Sequence, residues 1–282
     1  MATIEANTGS VKRAASNPGF EFLERLGYAV RGVLYVVMGV LALRIALSQP
    51  GGHAFDLTAS LVFMIGNQYG RVILLVVVVG LAAYSVWGLI RAVFDPLHRG
   101  SDPSGYMARL GFLSSALSYG LIVVFGLKIL AGAEDASGDG TQKSVTALLD
   151  HPAGGALTLG FGLVALGIGV GQFVEAYRAI FQRDLKGAEM GETTRKLVTT
   201  LGRFGMFARG VIFVVVGWFI VQAGLNHDPT EVQGFGGAFM FLGSQPFGHV
   251  LLGVVALGII ALGLHSLACA RWVKLMGSPG AA

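Results

Sequence analysis

Three times along this chain an arginine, a large apolar residue and a glycine open an apolar run that reaches a second glycine 45 residues after the arginine. The three stretches are Arg25 to Gly70, Arg109 to Gly154 and Arg203 to Gly248. The openings read Arg25-Leu26-Gly27-Tyr28, Arg109-Leu110-Gly111-Phe112 and Arg203-Phe204-Gly205-Met206, and each closing glycine starts another apolar run. A fixed internal period means one supersecondary unit used repeatedly. The chain therefore divides into an N-terminal segment, residues 1–24, three two-segment units at 25–95, 109–181 and 203–272, and a tail, 273–282.

Each run is long enough to cross a hydrocarbon core, which takes about 20 apolar residues in a helix. The six windows are Leu26 to Leu47, Val72 to Ile90, Leu110 to Ala131, Ala156 to Val174, Phe204 to Leu225 and Val250 to Ala270. With 54% hydrophobic and 13% charged residues, the chain falls far below the ~25% charge of a water-soluble domain. The expected fold is an all-α membrane protein of six transmembrane helices in three repeated two-helix units, with the lipid bilayer as solvent. Glycine lets helices approach closely in lipid; the fourth span holds Gly160, Gly162, Gly167, Gly169 and Gly171 and is expected to be the most tightly packed.

Lys and Arg set the orientation. Fourteen of the twenty fall in the N-terminal segment, the second and fourth connections and the C-terminal tail, whereas the alternate connections hold only Arg71 and Lys143. By the positive-inside rule both termini are expected to be cytoplasmic. The +4 net charge thus describes a cytoplasmic membrane face, and no nucleic acid partner is expected. The first twenty residues carry Glu5, Lys12, Arg13 and Pro18 with no apolar core, so the first span is expected to direct insertion in place of a cleavable signal. Phe20, Phe22 and Leu23 among Glu21, Glu24 and Arg25 suit a short interfacial helix before it.

The outer loops contain short apolar stretches at Leu57 to Ile65, Val145 to Leu149 and Phe239 to Leu242. They are too short to span, so three short interfacial helices are expected there. Each second span starts at a matched turn, Gln68-Tyr69-Gly70, His151-Pro152-Ala153-Gly154 or Gln245-Pro246-Phe247-Gly248, with proline suited to a first helical turn. Tyr84, Trp87 and Arg91 share a helix face and read as an interfacial anchor.

Superposing the repeats exposes the polar positions. Nineteen residues after the opening arginine stand Arg44, Lys128 and Gln222, and six residues after it stand Arg31, Ser115 and Arg209. Ionisable residues inside a membrane are functional candidates by default, unless they snorkel to water. One reading gathers Arg44, Lys128 and Gln222 about a pseudo-threefold axis as an anion-attracting pathway. Arg31 and Arg209, with Tyr35 beside Arg31, read as lipid-headgroup or cation–π residues at the interface. Gln172 and Glu175 share a face of the fourth span, and His265 lies within the sixth; these complete the pathway candidates.

No Walker loop, dinucleotide fingerprint, Cys/His metal spacing or nucleophile elbow occurs, and no nucleophile and base pair is legible within the spans. No catalytic residue, metal or cofactor is expected. Cys269, a single cysteine, reads as packing.

The runs from Arg25 to Tyr35 and from Arg203 to Phe213, with the Gln245-Pro246-Phe247-Gly248 turn, resemble the bacterial membrane family DUF1206. The resemblance covers nearly the whole chain after residue 20 and implies three tandem two-helix domains, with no established activity. Repeat two departs from it, having Ser114-Ser115 where the others have Val30-Arg31 and Ala208-Arg209. The functional expectation is a non-enzymatic membrane protein that binds or passes a small ion or solute. The alternative is an accessory or scaffold subunit of a membrane complex, and glycine faces also suit a homo-oligomer.

Overall fold

The computed structural model describes residues 18–47, 70–94, 103–131 and 140–273. Within them eight α-helices follow in order: α1 (Pro18–Leu47), α2 (Gly70–Phe94), α3 (Pro103–Leu130), α4 (Gly140–Leu149), α5 (Gly154–Arg178), α6 (Glu192–Asn226), α7 (Phe235–Ser244) and α8 (Gly248–Trp272). All but α4 and α7 are long and apolar enough to cross a membrane. A 25-residue helix such as α8 rises about 38 Å, which exceeds the ~30 Å hydrocarbon core. The protein is an all-α, multi-pass membrane fold of three tandem repeats.

The main packing joins one repeat to the next. The second span of each repeat lies along the first span of the following one: α2 on α3, α5 on α6, and, closing the circuit, α8 on α1. Equivalent residues meet at all three seams. A Cβ on Gly32 of α1 would sit 2.9 Å from the Gly263 carbonyl oxygen of α8, and one on Gly210 of α6 would sit 3.0 Å from that of Gly169 in α5. Such spacing leaves room only for glycine, so the backbones touch. The third seam has Ala116 and Ser85 at these positions, and there the Ser85 hydroxyl donates to the Ala116 carbonyl at 2.6 Å.

The opening arginines have a related task. Arg25 donates to the carbonyls of Ala270 and Arg271 at 3.1 and 3.0 Å. Arg109 donates to their repeat equivalents, Ala92 and Val93, at 2.7 and 3.0 Å. Each thus caps the C-terminal end of the neighbouring repeat's second span, where carbonyls lack helical partners and positive charge is favoured.

Packing within a repeat is unequal. In repeats one and three the two spans close against each other, Gly27 beside Gly80 and Tyr84, Gly205 beside Leu262, and Gly258 beside Ala208. In repeat two α3 and α5 barely touch. A Cβ on Gly111 would meet nothing within 4 Å, and Val164, in the place of Gly80 and Gly258, is 60% exposed. Among the described residues the ring of spans is therefore open between α3 and α5. This divides the fourth span: Gly162 and Gly169 form the close seam with α6, while Gly160, Gly167 and Gly171 face open space. The expectation of tightest packing holds for one face of that helix only.

α4 and α7 are the short helices expected in two of the connections; the stretch 57–65 lies outside the described residues. The second spans start at the matched glycines, Gly70, Gly154 and Gly248. Pro152 and Pro246 precede the N-cap residues Ala153 and Phe247, so neither occupies the first turn as expected; in the third repeat the intervening Phe247 is left-handed (φ 60°). Among the described residues no separate interfacial helix precedes the first span, since α1 runs unbroken from Pro18. The charged linker 183–196 folds into two 3-10 turns and the first turn of α6. It is pinned to the end of α8 by an isolated bridge, Leu185 to Val273, and a hydrogen bond from the Lys186 amide to the Trp272 carbonyl at 2.8 Å.

Candidate functional site

Where the first spans converge, the side chains six and ten residues after the opening arginines meet. The ten-residue positions are Tyr35, Tyr119 and Phe213, and the Tyr35 and Tyr119 hydroxyls lie 2.6 Å apart. The Arg31 guanidinium hydrogen-bonds the Tyr84 hydroxyl and stacks over the rings of Tyr84, Tyr35 and Tyr119 at 5.0, 5.6 and 5.7 Å. Arg209 stands over Phe213 at 5.2 Å and over Tyr35 at 6.0 Å. Tyr35 is thus shared by two cations from different repeats.

Both guanidiniums are buried, each 8% exposed. Neither has a carboxylate partner among the described residues. The Nε atoms of both are buried without a hydrogen-bond acceptor, and Arg209 has only ring contacts. Taking a charge out of water costs several kcal/mol; a cation–π contact returns about 0.5–2 kcal/mol. The ring contacts therefore offset only part of the cost of burying the two guanidiniums.

A second layer lies behind it. Arg91 donates to the Tyr28 hydroxyl at 2.9 Å and stacks on Trp87 at 4.8 Å, and Tyr28 and Tyr119 each meet Tyr84 edge-on. Tyr84, Trp87 and Arg91, expected as an interfacial anchor, are buried inside the bundle, because their face of α2 turns toward α1 and α3. Arg31, Arg209 and Tyr35 likewise lie within the protein, in the cation–π arrangement.

Arg44, Lys128 and Gln222 do not line this axis. Each lies nine residues beyond Tyr35, Tyr119 or Phe213, two and a half helical turns at 3.6 residues per turn, and so on the opposite face. Arg44 and Lys128 are exposed and Gln222 is half-buried. Gln172 and Glu175 are half-buried on α5, outside the cluster; the Gln172 Oε1 is buried without a partner.

His265 is a core histidine. Its Nδ1 lies 3.0 Å from the Val198 carbonyl, its Nε2 lies 3.4 Å from the Cys269 sulfur, and Phe181 packs edge-on against the ring. A carbonyl only accepts, so Nδ1 carries the proton and Nε2 accepts from the thiol. A thiol and an imidazole one helical turn apart thus lie within hydrogen-bond reach inside a span, a pairing that sequence reading did not find. Both residues are buried.

Tyr119, Tyr84 and Tyr28 were also missed as site residues. The signal was present: moving the repeat superposition four residues beyond Arg31 and Ser115 aligns Tyr35 with Tyr119.

These features define a six-span membrane protein of three two-helix repeats around an arginine–tyrosine core. The chain belongs to the DUF1206 family, described as a Domain of Unknown Function, which matches residues 26–95, 110–179 and 204–273. It is similar to YxxB, an uncharacterised protein of Bacillus subtilis (strain 168), with 29% identity over 254 residues, 90% of this chain and 91% of the relative. No solved structure matches the chain.

Proposed function

We propose that this protein is a non-enzymatic anion-binding bundle of the bacterial inner membrane, with both termini cytoplasmic, and that it binds or passes a small anion at Arg31 and Arg209. The observation that carries this reading is the two buried guanidiniums flanking Tyr35 with no described carboxylate between them. A planar guanidinium with a free Nε–H suits a carboxylate or phosphate oxygen. The test is thermal unfolding of the purified protein titrated with phosphate, acetate and chloride, followed by flux in proteoliposomes. A binding anion at about 100 times its Kd stabilises the fold by about 2.7 kcal/mol; Arg209→Gln abolishes that gain, whereas Arg44→Gln, on the opposite face, keeps it. Equal response of wild type and Arg209→Gln to every anion overturns the reading.

The accessory-subunit reading draws on the unsealed faces of α3 and α5. It requires a stoichiometric protein partner through gentle extraction, and a chain recovered alone from its native membrane sinks it.

A further inference from the structure

The anion-binding reading leaves open how a charge reaches a cluster buried inside the spans. The open side of repeat two supplies a route, and it favours one class of ligand. On α3, Gly111, Ser115 and Tyr119 follow at four-residue spacing and form one stripe. At one end of the stripe Gly111 faces open space; at the other, Tyr119 meets the Tyr35 hydroxyl and lies under the Arg31 guanidinium. Across the opening, α5 presents Gly160, Val164, Gly167 and Gly171 on the face opposite its seam with α6, and nothing lies within 4 Å of a Cβ on any of these three glycines. Repeat two is also the repeat that has Ser115 in place of a third arginine.

The α5 wall is apolar, the α3 wall carries Ser115 as well as Gly111, and the end of the passage is cationic. Arg31 and Arg209, each more than nine-tenths buried, have unpartnered Nε atoms there. A freely dissolved ion gains nothing from apolar walls, whereas a molecule with an anionic head and a hydrocarbon tail satisfies both ends. We infer that the ligand is an anionic amphiphile of the bilayer, its phosphate or carboxylate head held by Arg31 and Arg209 and its tail lying between α3 and α5. This rests on the anion-binding reading and adds the ligand class and the side from which it enters.

The experiment is native mass spectrometry of the full chain released from phosphatidylcholine nanodiscs with and without phosphatidylglycerol, for wild type, Arg209→Gln, Arg209→Lys and Gly111→Phe. In parallel, inorganic phosphate is titrated against thermal stability. Gly111→Phe fills the opening without touching the arginines, and its open surroundings leave the fold intact. The expected result is one phosphatidylglycerol retained by wild type and lost by about tenfold or more in Arg209→Gln, with partial rescue by Arg209→Lys. Gly111→Phe also loses the lipid while keeping the response to phosphate. Stabilisation of wild type by phosphate without lipid retention, or lipid retained equally by Gly111→Phe, overturns the amphiphile inference and leaves anion binding standing. Absence of any response to either probe overturns both. A second protein seated in place of lipid overturns the inference in favour of the accessory reading.

Discussion

Tyr35 and Tyr119 occupy the same position in successive repeats, and their hydroxyls meet at 2.6 Å in the interior of the bundle. Replacing either by phenylalanine leaves the other hydroxyl buried without this partner, at a cost of about 1–3 kcal/mol. The double variant Tyr35→Phe/Tyr119→Phe is expected to cost less than the sum of the singles. Thermal unfolding of all four proteins in one detergent measures the coupling, and strict additivity excludes it.

Glycine has opposite value on the two faces of one helix. At Gly169, where a Cβ would crowd the Gly210 carbonyl at 3.0 Å, Gly169→Leu is expected to destabilise by about 1–3 kcal/mol through overpacking. At Gly167, two residues earlier and open, Gly167→Ala is expected to stabilise by up to about 1 kcal/mol by restricting the unfolded chain. Denaturation midpoints of the two variants should move in opposite directions.

The wrap-around seam can be locked. A Cβ on Gly253 of α8 would lie 3.8 Å from that of Ala46 in α1, matching the mean of about 3.8 Å across a disulfide. In a Cys269→Ala background, Ala46→Cys/Gly253→Cys should form an intramolecular bridge under mild oxidation, seen as linked peptides by mass spectrometry. Persistent free thiols in the folded protein would remove α8 from its place beside α1.

Arg25 and Arg109 cap the spans beside them, and neutralising either to glutamine should cost about 0.3–2 kcal/mol. Arg203, exposed and without such a bond among the described residues, should tolerate the same change with a smaller shift in melting temperature.

Asp228, in the turn after α6, accepts hydrogen bonds from the Thr230 hydroxyl at 2.7 Å and the Thr230 amide at 2.8 Å. These bonds hold its carboxyl below the usual range. A carboxyl depressed in the folded state stabilises above its unfolded pKa and loses that contribution as pH falls through the folded value. Amide exchange of residues 228–232 should therefore accelerate on acidification in wild type, and Asp228→Asn should flatten that dependence.

The repeats and spans were legible because both signals are local: apolar length, and glycines at fixed distances from arginines. Which face of each span turns inward was not legible, because it depends on the neighbouring helix. Arg44, Lys128 and Gln222 align across repeats as regularly as Arg31, Ser115 and Arg209, and the sequence alone offered no means of choosing between the two sets. The structure decides through the seam residues: Gly32 faces Gly263, Gly210 faces Gly169, and Ser85 bonds the Ala116 carbonyl, which fixes the rotation of these helices and turns Tyr35 and Tyr119 toward the axis. Val164 shows the same limit, since one branched residue among glycines gave no sign that it marks the open edge of the ring.

The contact between the last span and the first has the geometry of the contacts between consecutive repeats, although no loop joins those two helices directly. Chain order is therefore incidental to the assembled ring. A circular permutant that starts at Arg109 and ends at Phe94, with α8 tethered to α1 by a short linker, would rebuild every seam. So would three separate two-helix polypeptides, the first two supplying an arginine cap to a neighbour through Arg25 and Arg109.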